Sequence, residues 1–206
     1  MSARTMQAHP SGEEQAAAAI AHGASGMPTA LVGMLLFIAS EVMFFGGLFA
    51  TYFNARASTT GTWGPPEGGH LDLPLAAVLT AVLVASSFTM QFGVWAIRRG
   101  DQGKLRLWTA ITLGLGILFL AGQLYDYSQL GFGVGDGVFG TVFYTLTGFH
   151  GAHVFGGVVG LTIVLARTTR GQFTARNHVA VEAVSMYWHF VDVVWIFVFS
   201  TIYLLR

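Results

Sequence analysis

The sequence predicts an all-α protein, a polytopic membrane bundle of five transmembrane helices. Three observations carry that class. Hydrophobic residues make up 53% of the 206-residue chain and charged residues 10%, against about a quarter charged in a typical soluble domain. The mean hydropathy is +0.60. Apolar residues also collect in five runs, each near or above the roughly 20 residues that a helix needs to cross a bilayer core.

The first run extends from Pro28 to Asn54. Residues 1–27 before it are expected to form a polar cytoplasmic tail, and residues 28–206 one five-helix domain. The tail, MSARTMQAHPSGEEQAAAAIAHGASG, has no continuous apolar core and no basic segment feeding one, so it does not read as a cleaved signal peptide. Its stretch from Glu13 to Ala21 reads as partly helical. The Gly- and Pro-rich GTWGPPEGG breaks the chain before the second run, Asp72 to Ile97. The third run is Leu105 to Tyr125, the fourth Val138 to Ala166 and the fifth His178 to Leu205. Trp63, Trp95, Trp108, Tyr125 and Tyr203 fall near run ends, where amphipathic rings favour the membrane interface.

Short connections rich in Lys and Arg stay cytoplasmic. The second connection carries Arg98, Arg99, Lys104 and Arg106 against Asp101, and the fourth carries Arg167, Arg170 and Arg176 with no acid. The first sets Arg56 against Glu67 and Asp72, and the third holds only Asp126 and Asp136. This alternation places the N-terminus in the cytoplasm and Arg206 on the outer side. Cysteine is absent, which excludes disulfides and thiolate chemistry, and the net charge of zero argues against a nucleic-acid partner.

An ionisable group deep in a membrane costs at least a few kcal/mol, so each one is a functional candidate with a partner to be found. Six stand inside the runs: Glu41, His150, His153, Glu182, His189 and Asp192. On the last helix Glu182, Ser185, His189 and Asp192 fall within a stripe of about 80°. His150 and His153 are spaced i, i+3, which allows shared metal ligation. The alternative is that each ring is neutral and hydrogen-bonded to a neighbouring helix; no second set of ligands with metal spacing favours the metal. Gly156 and Gly160, with Gly157, make a surface on which another helix can pack closely. Glu41 lies about 20 Å along its helix. It reads as a protonated, hydrogen-bonded acid, a partner for a histidine on another helix, or a proton carrier.

Three segments, SEVMFFGGLFATYF at Ser40 to Phe53, FHGAHVFGG at Phe149 to Gly157 and VEAVSMYWHFVDVVWIFVFSTIYLL at Val181 to Leu205, resemble subunit III of the haem-copper respiratory oxidases. They occur in family order. The resemblance implies an accessory subunit of a proton-pumping aerobic oxidase, with no haem, copper or other metal of its own. Haem and copper are expected in partner subunits, with subunit I the direct partner, subunit II another, and a cytochrome bc complex a candidate neighbour in a supercomplex. It further implies a bacterial plasma-membrane location and a role in supporting proton uptake and lifetime of subunit I. In the family the positions matched by Glu41, His150, His153 and Glu182 belong to the polar interior of the bundle, joined here by His189 and Asp192. Phospholipid is held in a cleft of that subunit, and by charge and depth Arg167, Arg170, Arg176 and His178 are the head-group candidates. The chain departs from the longer, seven-span members of the family by lacking anything like their first two spans, and another subunit or bulk lipid is the expected cover for that face. Five-span forms also occur in quinol oxidases and nitric oxide reductase systems; the VDVVW wording favours the cytochrome c branch. A proton transporter and a haem protein using His150 or His153 are the readings from other classes.

Overall fold

The structure, a computed structural model, describes residues 27–205; the polar tail and its expected helical stretch lie outside the described residues. Five long helices follow one another: α1 (Thr29–Ser58), α2 (Leu73–Arg98), α3 (Gln102–Gln129), α4 (Gly137–Thr169) and α5 (Val179–Phe199). The last continues through a wider π-helical turn, Ser200–Leu204. All five are long and apolar enough to cross a membrane, and each overlays its expected run to within a few residues.

Helix ends follow local chemistry. Asp72 and Asp101 cap α2 and α3, their carboxylates accepting the backbone N–H of Leu75 and Lys104 at 2.9 Å each. Gly100 and Gly171, at φ +80° and +68°, close α2 and α4. In each case the glycine N–H and that of the next residue turn back onto the helix's last carbonyls, a closure that needs a left-handed residue. Lys104 N–H and the Lys104 ammonium hold the exposed Asp101 carboxyl below the usual carboxylate range. Because the folded pKa is depressed, the stabilisation is present above the unfolded value of about 3.9 and is lost as pH falls through the folded value. Asp101→Ala should therefore lower the thermal midpoint at neutral pH and leave it nearly unchanged in strong acid, as thermal scans at the two pH values would show.

Helices α2 to α5 form a closed ring, α2 on α3, α3 on α4, α4 on α5 and α5 back on α2, while α1 lies outside against α4 and α5. The seams repeat at alternating steps of three and four. On α3 the buried residues are Leu105, Thr109, Thr112, Gly116, Phe119, Gln123 and Asp126, the spacing of left-handed bundle packing. Between membrane helices such packing replaces the hydrophobic effect as the driving force. Trp188 sits at the centre, fully buried. A Cβ at Gly116 or Gly157 would come within 2.6 Å of its ring, so glycine on α3 and α4 makes the room that the indole fills. Its Nε1 donates to Ser86 Oγ on α2 at 2.9 Å, joining all four helices of the ring. Val184 and Tyr187 lie against Gly160 and Gly156, so α5 is the helix that uses the small-residue surface of α4.

The connections meet in pairs. His70 N–H donates to Leu130 O, joining the first connection to the third, and Gln102 Nε2 donates to Phe173 O at 2.8 Å, joining the second to the fourth. Two of the expected interfacial aromatics point inward instead. Tyr203 is buried and donates to Asp126 at 3.3 Å, and Trp63 donates to the buried Tyr52 hydroxyl at 3.0 Å. Position near a run end does not separate lipid-facing rings from those that fold back over the bundle.

Candidate functional site

The six intramembrane groups fall into three sets, with α2 supplying partners that the sequence reading did not include. In the first, Glu41 on α1 meets His153 on α4, Oε2 to Nε2 at 3.0 Å. His153 Nδ1 lies 2.7 Å from Phe149 O, and a carbonyl only accepts, so Nδ1 carries a proton. One further proton sits between Nε2 and Oε2. The pair is either a neutral imidazole with a carboxylic acid or an imidazolium with a carboxylate, and it is net neutral in both. Phe45 and Phe44 flank the ring, with centroids 4.9 and 6.0 Å away, and the Tyr187 hydroxyl donates to His153 O at 3.0 Å.

The second set lies between α5 and α2. His189 Nδ1 contacts Ser87 Oγ at 3.0 Å and Nε2 contacts Gln91 Oε1 at 3.3 Å, while Ser87 Oγ also bonds Asp192 Oδ2. Asp192 is buried, and its Oδ1 has no hydrogen-bond partner among the described residues. Toward the arginine-rich end, Glu182 Oε1 accepts from Arg98 Nε and Nη2 at 3.0 and 2.7 Å, and His178 Nε2 is 3.3 Å away.

His150 is fully buried, both its ring nitrogens lack hydrogen-bond partners among the described residues, and it packs on Trp195 and Phe119 with centroids 4.9 and 5.9 Å away. Although His150 and His153 share a helix face by spacing, their rings turn to different neighbours. Among the described residues no three His, Cys, Asp or Glu side chains converge as a metal site.

A further polar group joins α3, α4 and α5 near the third connection. Tyr127 donates to Thr147 Oγ1 at 2.7 Å, Gln123 Nε2 donates to Thr147 O at 3.3 Å, and Asp126 accepts from Tyr203. Asp126, which the charge alternation places in the outer loop, is instead buried in the last turn of α3. Of the head-group candidates, Arg170 and Arg176 are exposed. Arg167 donates to Gln172 at 2.9 Å and covers the Phe173 ring at 4.8 Å, and His178 also contacts Thr174 O at 3.2 Å.

Residues 14–206 match the model of the family described as cytochrome c oxidase subunit III. The chain belongs to the cytochrome c oxidase subunit III family. It is 51% identical over 178 residues to a probable cytochrome c oxidase subunit 3 of Nocardia farcinica, covering 85% of this chain and 87% of that protein. A probable cytochrome c oxidase subunit 3 of Mycobacterium tuberculosis is 48% identical over 178 residues with the same coverage. The cytochrome c oxidase subunit 3 of Thermostichus vulcanus is 42% identical over 176 residues, again with 85% and 87% covered. The subunit III match takes in all five helices, and with them each polar set described above.

Proposed function

We propose that the chain is the non-catalytic accessory subunit III of a bacterial cytochrome c oxidase. The observation that carries this is the family match through every helix. In this reading the haem and copper belong to partner subunits, subunit I is the direct neighbour and subunit II another, and a cytochrome bc complex is the candidate supercomplex partner. The relatives are bacterial, which supports a multi-pass place in the bacterial plasma membrane. The arginine-rich second and fourth connections adjoin, which supports a cytoplasmic N-terminus under the positive-inside rule. An affinity tag on this chain should co-purify haem-bearing subunits with cytochrome c oxidase activity. Recovery of the chain free of haem proteins from gently solubilised membranes would remove the proposal.

Phospholipid is the proposed ligand of the exposed basic residues at that end. Arg170 and Arg176 are exposed and make no side-chain hydrogen bond or ion pair among the described residues, which leaves their guanidinium groups to meet phosphate, whereas Arg167 and His178 hold the connection between α4 and α5. The double substitution Arg170→Gln, Arg176→Gln should weaken anionic lipid retention by about 1 kcal/mol per basic residue removed, read as lipid phosphorus per purified complex; the same change at Arg167 should instead loosen the connection.

A further inference from the structure

A file of polar groups enters the α2–α5 seam at the arginine-rich end and stops inside the membrane. A cavity of about 250 Å³ is lined there by Leu31, Gln91, Arg98, Glu182, Ser185 and His189, room for several waters. From His189 the contacts lead inward through Ser87 to Asp192, about 15 Å along the helix beyond Glu182. The seam is closed farther on, where Trp195 Nε1 bonds Thr80 Oγ1 at 2.9 Å amid buried Leu83 and Val198.

Hydrogen counting restricts what this file holds. Gln91 Oε1 only accepts, so His189 Nε2 carries a proton. A neutral imidazole then accepts at Nδ1 from the Ser87 hydroxyl, and Ser87, having given its one proton, accepts from a protonated Asp192. The alternative, imidazolium and carboxylate, sets two charges in the membrane. An unpartnered Oδ1 suits the carbonyl oxygen of a neutral acid better than a carboxylate.

We propose that Ser87, His189 and Asp192 form a single-proton binding site that loads from the arginine-rich side of the membrane through this cavity. In the empty state Asp192 is a carboxylate accepting from Ser87, Ser87 accepts from His189 Nδ1–H, and the Gln91 amide is turned so that its NH₂ group donates to the bare Nε2 beside the cavity; on loading it turns back and its Oε1 accepts. An incoming proton binds Nε2. The Nδ1 proton passes to Ser87 Oγ as the Ser87 proton passes to Asp192 Oδ2, leaving a neutral acid, a neutral imidazole and one proton gained. The groups facing the path are Arg98 on α2 and His178 and Glu182 at the start of α5. Glu41 of α1 and His153 of α4 hold each other, His150 of α4 is enclosed by aromatics, and Asp101 and Asp126 of α3 are held by Lys104 and Tyr203.

Infrared spectroscopy of the intact oxidase complex tests this through the carbonyl stretch of a protonated carboxylic acid. The band should be lost in Asp192→Asn and shift on transfer to D₂O. The shift should slow in Ser87→Ala and recover in Ser87→Thr, a comparison that stands if Asp192→Asn fails to assemble. In sealed vesicles, the band should follow pH on the arginine-rich side alone. Exchange unaffected by Ser87→Ala, a band that follows pH on the opposite side, or no Asp192-dependent band across the carboxylate and imidazole titration range in an assembled variant would overturn the proposal.

Discussion

Trp188→Ala should cost about 3–5 kcal/mol, the usual range for deleting a fully buried aromatic. The indole touches three neighbouring helices: its ring fills the space above Gly116 and Gly157, and its Nε1 is bonded to Ser86. Removal leaves a void between α3, α4 and α5 and a buried hydroxyl on α2 that has lost one partner. Gly157→Ala attacks the same place from the other side, because its Cβ would stand 2.6 Å from a ring with no room to withdraw. The two faults should offset. Gly157→Ala combined with Trp188→Phe should be less destabilised than the sum of the single changes, a non-additivity expected of residues in contact. Denaturant titration of the purified subunit, followed by loss of helix signal, gives all four corners of that cycle. Additive costs would mean that the tryptophan and the glycine do not share one packing site.

Element positions were legible in the sequence because a membrane helix declares itself by length and apolar content alone. Which faces meet was less so. The small-residue surface at Gly156, Gly157 and Gly160 announced a close helix neighbour, and α5 is that neighbour. The buried stripe of α3 is not marked by apolar periodicity, because it is composed of Thr109, Thr112, Gly116, Gln123 and Asp126 beside Leu105 and Phe119. In a lipid-facing helix the polar and small residues turn inward, so a search for apolar periodicity reads the wrong side. The same spacing test applied to polar residues finds this seam, and with it the burial of Asp126.

The candidate residues themselves were legible for a simple reason: ionisable groups in an apolar run are conspicuous. Their partners were not. Ser87 and Gln91 on α2 are uncharged and four residues apart in a long apolar helix, and only the antiparallel crossing of α2 and α5 reveals that they face His189 and Asp192. Arg98 reads in sequence as a topology marker. In the fold it also holds Glu182, so one side chain takes part in orientation and in packing.

The largest effect on the peripheral helix should come from His153. Few residues of α1 are buried, so the contact between Glu41 and His153 is a main tether to the ring. His153→Leu strands a carboxyl on α1, and breaking a buried pair by removing one partner costs about 3–5 kcal/mol. The cost here should sit at the lower end, since the two side chains retain 18% and 16% exposure. Glu41→Leu with His153→Leu removes both groups and should recover most of the loss, because two leucines leave no polar atom unsatisfied. Glu41→Gln separates the two proton arrangements. Its amide donates to His153 Nε2 and reproduces the neutral pair, but it cannot reproduce a carboxylate facing an imidazolium. In an apolar setting the neutral arrangement avoids desolvating two charges, so Glu41→Gln should change stability by less than about 1 kcal/mol, far less than His153→Leu. Denaturation midpoints of the three variants test the ranking. A Glu41→Gln variant as unstable as His153→Leu would show that the pair is charged.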